Sequence, residues 1–426
     1  MPEQIIEADL TFTGEQFEPG VQVSVGADGR IAAVGALGKE PTRKLAGQAL
    51  LPGMVNVHSH AFQIGLRGRG ESYPKGQGDF WSWRKAMYEL AGGLDPDRFQ
   101  DLCIRSFREM RAAGITTVGE FHYLHHSRGE GDFALDDRVL AAATEAGIRL
   151  VLLQACYSTG GIGTPLAGVQ ERFATDGVDT YWKQIDRLAP RLDPDLQSFG
   201  VVAHSFRAVS LEEVIELHAE ARNRGMVFHM HVEENPDEIA ECRAVYGAPP
   251  MKLLNNRLEI SASFTAVHCT HTSGEDLDRF AGAGGTIAIC PLTEANLGDG
   301  IADLPRVHAA GGKISLGTDC NARISMLEEM RWLEYVQRLA RRRRGILRDP
   351  VGRVALPLFR AATVHGARSL GLETGSIDPG LWADLFTIDL KNPLLEASPP
   401  DRLLESLVFG GSDAAVSATC VGGKWD

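Results

Sequence analysis

The chain is poor in the features that mark several large classes of protein. Its seven cysteines are scattered over 426 residues with no C-x-x-C pair among them. An odd, dispersed set suits a reducing compartment better than a disulfide framework, so a small stapled secreted fold is excluded. No apolar run approaches the ~20 residues that a bilayer-spanning helix needs. The first residues, Met1-Pro-Glu-Gln-Ile-Ile-Glu, hold no basic segment followed by an apolar one, so no export signal is expected. No G-x-G-x-x-G stands between a strand and a helix, which removes the main support for a dinucleotide-binding fold. Basic residues are in the minority: the formal net charge is −13, which argues against general nucleic-acid binding. The one basic cluster, Arg341-Arg-Arg-Arg344, follows a helical pattern over Met326–Leu339 and reads as a solvated helix end. A cytoplasmic protein with no membrane or nucleic-acid partner is the expectation.

What is present is an ordinary globular composition, 44% apolar and 23% charged, on a chain long enough for a large core. Short apolar runs broken by glycine turns (Ala8–Phe12, Val21–Val25, Ile31–Val34) predict small strands near the start. Ala383–Ile388, Leu404–Phe409 and Ala418–Val421 have the same texture near the end. Residues 1–50 and 376–426 are therefore expected to form one small β-sandwich-like domain. Between them, over 51–375, strand-like runs recur at Leu50–Val57, Thr116–Phe121, Leu150–Ala155, Ser198–Ala203, Met226–His231, Thr265–Val267, Thr286–Ile289 and Lys313–Leu316. Helical stretches such as Pro96–Ala113, Leu135–Ala146, Leu211–Asn223 and Glu234–Ala244 separate most of them. Strands alternating with helices in this way predict an α/β fold, a (β/α)8 TIM-type barrel, with a doubly wound open sheet as the competitor.

Reactive groups of a barrel enzyme sit where its strands stop. The first apolar run ends in His58-Ser-His60, and alternation along a strand points both imidazoles the same way, within reach of one metal ion. A pair of core or surface histidines is the alternative. Later runs end in Glu120-Phe-His122-Tyr123, His204-Ser-Phe-Arg207, His229-Met-His231-Val-Glu-Glu234, His268-Cys-Thr-His271 and Gly317-Thr-Asp319. Packing alone does not favour so many polar endings, because buried polar groups cost free energy unless paired. His58, His60, His231 and Asp319 form a nitrogen and oxygen set suited to one divalent ion, zinc above all, with a position left for water. Glu234, three residues beyond His231, is placed to move protons. His268 is placed to orient the nucleophile. No lysine ends the fourth run, so a carbamylated bridge between two metals is not expected. His229 is expected to pack or to support the ligands, His122 and His271 to lie in loops, His125 and His126 to be solvated, and His365 to sit in a packed helix. His218 and His308 carry no functional signal.

In this order, Pro52-Gly53-Met54…His58-X-His60, His231, His268 and Asp319 resemble the amidohydrolase superfamily over nearly the whole chain, Ala383-Asp-Leu included. Longer motifs resemble the formiminoglutamate deiminase family of histidine degradation. They are His60-Ala-Phe-Gln63, Phe80-Trp-Ser-Trp-Arg84-Lys-Ala-Met-Tyr88, Glu120-Phe-His-Tyr123-Leu-His-His126, His204-Ser-Phe-Arg207-Ala-Val, Thr293-Glu-Ala-Asn-Leu-Gly-Asp-Gly300 and Glu328-Glu-Met-Arg-Trp-Leu-Glu-Tyr335. Cys320 departs from the serine expected there, and Ala203 and Phe206 differ modestly. The resemblance implies a metal-dependent hydrolase that converts N-formimino-L-glutamate and water to N-formyl-L-glutamate and ammonia. It implies Glu234, His268 and Asp319 as catalytic residues, and Gln63, Arg84, Tyr123, His204 and Arg207 around a small dicarboxylate substrate. Guanidinium groups suit such a substrate because they hold carboxylates through paired hydrogen bonds. A homodimer is also expected. Deamination of an aromatic base (guanine, 8-oxoguanine or a triazine) is the competing activity. A non-catalytic scaffold is the remote one, since its expected signature is loss of metal ligands that this chain retains.

Overall fold

A computed structural model describes residues 2–69, 71, 73, 78, 80–128 and 131–426. Five strands come first: β1 (Gln4–Phe12), β2 (Phe17–Glu18), β3 (Gln22–Val25), β4 (Ile31–Gly35) and β5 (Arg43–Pro52). Eight follow in alternation with helices: β6 (Met54–Ser59), β7 (Ile115–His122), β8 (Arg149–Cys156), β9 (Gln197–Ala203), β10 (Phe228–Val232), β11 (Phe264–His268), β12 (Thr286–Ile289) and β13 (Lys313–Leu316). The last are β14 (Leu385–Asp389), β15 (Val416–Val421) and β16 (Lys424–Trp425).

Strands β6 to β13 pair in chain order, each parallel to the next. Every residue of β7 and β8 is buried, as expected for parallel strands packed on both faces. The ring closes where the residues just beyond β13 meet the end of β6. Thr318 and Asp319 N–H groups donate to the His58 carbonyl at 3.0 and 2.9 Å, and the His60 N–H donates to the Asp319 carbonyl at 2.9 Å. Gly317 permits this approach: a β-carbon there would lie 2.7 Å from both the His58 carbonyl oxygen and its Cβ. The protein is thus a (β/α)8 barrel, with a separate sheet built from both ends of the chain.

That second sheet has the order β16-β15-β14-β5-β1-β3-β4, with β2 paired to β1; all its pairings are antiparallel except β1 with β5. It encloses its own small core, including Ile6, Val23, Ile31, Leu45, Leu50 and Leu385. Asp384 ties it to the barrel: Arg149, at the start of β8, donates to its two oxygens at 2.6 and 3.0 Å and lies over the Trp382 ring at 4.3 Å.

Three expectations need correction. The run Leu50–Val57 is two strands in two sheets, because the chain breaks at Gly53, where a side chain would collide with Thr116. Leu404–Phe409 is no strand; it lies in the helix Leu403–Gly410. Its buried residues Leu403, Leu404, Leu407 and Val408 follow helical spacing and make one apolar face. The helix expected from Glu234 starts two residues later, as Pro236–Tyr246, with the Asn235 side chain accepting from the Glu238 N–H and proline in the first turn. This leaves Glu234 on the loop above β10.

Candidate active site

The strand ends bring His58, His60, His231, His268 and Asp319 into one buried cluster at the C-terminal mouth of the barrel. Backbone carbonyls orient two of the rings. His60 Nδ1 donates to the Phe121 carbonyl at 2.8 Å, and His231 Nδ1 to the His204 carbonyl at 3.0 Å. Each thereby turns its Nε2 lone pair inward. His231 Nε2 stands 3.1 Å from His58 Nε2, and Asp319 Oδ1 lies 3.5 Å from His58 Nε2 and 3.3 Å from His60 Nε2. His268 Nδ1 meets Glu294 Oε1 at 3.2 Å, so its Nε2 faces Glu234 Oε1 and Asp319 Oδ2, both at 3.8 Å.

Burial pushes His58 and His231 well below the ordinary imidazole range and His60 down to about 4. These rings are neutral, the form that ligates metals. His268 differs. Burial opposes its charge too, but the carboxylates of Glu234, Glu294 and Asp319 outweigh that and push it up to about 10. Burial raises Asp319, against the pull of His60 and His268. Glu234 is also penalised by burial, yet Arg207 and His268 hold it below the usual carboxylate range. The backbone here is strained: Glu233, His268, Cys269, Asp319 and Asn321 all have positive φ, between 48° and 73°. Left-handed residues other than glycine cost free energy and gather where a fold must aim particular side chains.

A cavity opens beside the cluster. His60, His204, His231, Glu234 and Asp319 line it, together with Gln63, Arg84, Tyr123 and Arg207. All five residues expected to contact substrate therefore border one space. Arg84 lies on the helix Phe80–Gly93, its Nε donating to the Tyr88 hydroxyl at 2.7 Å. Gln63 Nε2 donates to the Tyr123 hydroxyl at 2.8 Å, leaving the amide oxygen buried without a partner among the described residues. The His204 ring packs against Tyr123, Tyr157 and His231. Arg207 is more committed than its sequence suggests, because its Nη2 donates to Glu234 Oε2 at 2.6 Å.

Two histidine expectations fail. His125 and His126, expected in solvent, are buried, as is His122 at the end of β7. His122 Nε2 and His125 Nδ1 both reach Asp136 Oδ1, at 2.8 and 2.9 Å. His229 and His365 bond the Ser369 and Ile314 carbonyls, as packed residues do, and His271 is exposed.

Sequence reasoning assigned no role to several residues of the site. Glu294 holds His268 from behind, and Asp299, buried nearby, is pushed up to about 8 by its burial and the Glu234 charge. Both stand in the Thr293–Gly300 motif, whose length was the available signal. Glu120 accepts from the Ala61 N–H at 2.6 Å and is raised to about 8 by burial. Phe80, Trp83, Met87 and Tyr88, all on the helix Phe80–Gly93, complete the cavity lining with Tyr157 and Phe173.

The ring nitrogens and carboxylate fit a divalent ion. Around an ion with bonds of ~2.0–2.1 Å, tetrahedral ligand atoms lie about 3.3–3.4 Å apart. The separations of 3.1, 3.3 and 3.5 Å bracket that edge, and the His58 and His231 Nε2 atoms face each other on neutral rings. Fold and strand-end chemistry together define a metal-dependent barrel hydrolase. The chain belongs to the amidohydrolase family, whose model matches residues 49–425, and it acts as a hydrolase on carbon–nitrogen bonds. It is 34% identical to the formimidoylglutamate deiminase of Pseudomonas aeruginosa, over 99% of this chain and 94% of that protein. It is 29% identical to a 5-methylthioadenosine/S-adenosylhomocysteine deaminase of Pelotomaculum thermopropionicum, over 94% and 85%. Among solved structures, an amidohydrolase from Brucella melitensis superposes with a TM-score of 0.91 at 32% identity, covering 99% and 94% of the two chains. No helix among the described residues is long and apolar enough to cross a membrane.

Proposed function

We propose that this amidohydrolase deaminates N-formimino-L-glutamate, giving N-formyl-L-glutamate and ammonia. The observation that carries the reading is that two guanidinium groups, Arg84 and Arg207, line the same cavity as His60, His231 and Asp319. A substrate with two carboxylates and a formamidine needs two fixed cations on one side and hydrolytic chemistry on the other. An aromatic base has no use for the pair.

His58, His60, His231 and Asp319 would hold one divalent ion, zinc by its donor set, which when bound supplies an activated water. Arg84 and Arg207 bind the two carboxylates, and the Gln63–Tyr123 pair adds neutral hydrogen-bonding groups. Glu234, ionised at rest, takes one proton of the attacking water and carries it to the imino nitrogen. The His268 imidazolium, steadied by Glu294, stabilises negative charge on the attacking oxygen. Asp319 takes the other proton of the attacking water and returns it to the departing ammonia.

Ammonia release from formiminoglutamate and from guanine, on protein of measured metal content, tests the reading. Turnover of formiminoglutamate alone is expected; preference for guanine overturns it. Arg84→Met and Arg207→Met, made separately, should each raise KM for the diacid, and unchanged activity in both would sink the two-cation model.

A further inference from the structure

Arg207 is a buried cation with more acid around it than one positive charge can balance. Its Nη2 donates to Glu234, while its Nε has no hydrogen-bond partner among the described residues and faces Glu238 Oε1 at 3.8 Å. Glu238 is 1% exposed and stands in the first turn of the helix Pro236–Tyr246. A glutamate at that position often reaches back to cap its own helix. Here the Asn235 side chain accepts from the Glu238 N–H, and neither Glu238 oxygen accepts from a side chain among the described residues.

The charged and titratable groups that face Glu238 come from four elements. Arg207 follows β9, Glu233 and Glu234 follow β10, Cys269 follows β11, and Cys242 lies on its own helix. Arg207 is the one cation among them. Burial, with the Glu234 and Glu233 carboxylates, raises Glu238 to about 7 against the opposing pull of Arg207. Two carboxylic acids buried about one guanidinium is a poor choice for stability alone, since desolvating each charge is costly. It becomes useful if the partners of Arg207 change.

We propose that Glu238 is a positioning residue: it retains Arg207 when an incoming carboxylate displaces Glu234 from the guanidinium, and it takes up one proton from solvent in that exchange. The inference rests on the substrate being a carboxylate, as proposed above. Substrate brings a third negative charge to Arg207. Protonating one Glu238 oxygen removes a charge, while Glu234 is released to face the reacting carbon. No other bond forms or breaks. The added charge raises the proton affinity of Glu238 in the complex. Binding is therefore strongest at low pH and weakens as pH rises above the value for the free protein, by about tenfold per pH unit while the exchange is active.

The test is calorimetric titration of the metal-loaded enzyme with the product diacid, N-formyl-L-glutamate, in buffers of different ionisation enthalpy. The wild-type protein should take up close to one proton on binding at about pH 8.5, and less at lower pH where Glu238 is already partly protonated. E238Q should bind with none, and its KM should lose the alkaline rise while kcat stays near the wild-type value. Equal uptake in E238Q assigns the proton to another group and overturns the proposal. Should E238Q fail to fold, the wild-type profile decides, and an affinity constant from about pH 6 to about pH 8.5 overturns it. Failure of any diacid to bind overturns the substrate reading and this proposal together. Binding without a proton that depends on Glu238 overturns this proposal alone.

Discussion

Two buried clusters of histidine and aspartate lie in this barrel, and they differ in how their hydrogen bonds close. Around Asp136 the account is nearly complete. One oxygen accepts from His122 and His125 and the other from Gln154 and Gln184, while His125 Nε2 reaches the Ala155 carbonyl at 2.8 Å. Of these side chains, only Gln154 has a buried polar atom, Oε1, without a partner among the described residues. At the strand ends, two imidazole nitrogens face each other at 3.1 Å, and His58 Nδ1 and His268 Nε2 are unmatched. The same residue types at the same burial thus serve opposite ends. The Asp136 cluster is finished as protein, and the other waits for something outside the chain.

The contrast breaks most completely at His231. His231→Ala should lower metal content, read by atomic emission, and reduce turnover by more than the roughly 100-fold that loss of a mere supporting hydrogen bond costs. Glu234→Gln should keep the metal and cut kcat by about 10²–10⁴-fold in the ammonia assay. Asp136→Asn should act on the other side of the comparison. It removes the buried charge and leaves one acceptor oxygen for four donors, and should destabilise the fold by about 3–5 kcal/mol in urea denaturation. Metal content and kcat of the folded fraction should hardly change; an emptied metal site in Asp136→Asn would show that the two clusters are one system. Burial opposes the Asp136 charge, but His125 and His122 outweigh it and hold the carboxyl far below its usual range. Its stabilising contribution is therefore complete above about pH 4 and is lost as pH falls towards the folded value. Glu294→Gln weakens the support of His268 and should cost about 10–100-fold in kcat. Cys320→Ser should change least, within about twofold, because the contact of Cys320 Sγ with Thr293 Oγ1 at 3.2 Å can be kept by a hydroxyl.

Which cluster is which was only partly legible in the sequence. His58, His60, His231, His268 and Asp319 end apolar runs, and barrel topology brings any such set to one mouth. The pattern therefore predicted their meeting without any knowledge of side-chain geometry. His122, His125 and His126 misled because burial beyond a strand end is decided by what folds over it. Here the covering residues include Asp136, Gln184, Phe133 and Arg172, from segments that no local pattern connects. The strand mistaken at Leu404–Phe409 was readable, since its apolar residues follow a helical period once Leu403 is counted. Glu238 was not, as a glutamate in a first helical turn is ordinary until Arg207 is seen beside it.

The seam where the barrel closes carries a further consequence. His58 and Asp319 lie at opposite ends of the barrel's sequence, yet their backbones hydrogen-bond to each other directly. A chain emerging from the ribosome presents the His58-Ser-His60 pair early and must wait for its eighth barrel strand before the carboxylate arrives. With the ligand set proposed above, metal capture would act as a checkpoint on closure, and an ion bound there would reward the ring only once it is whole.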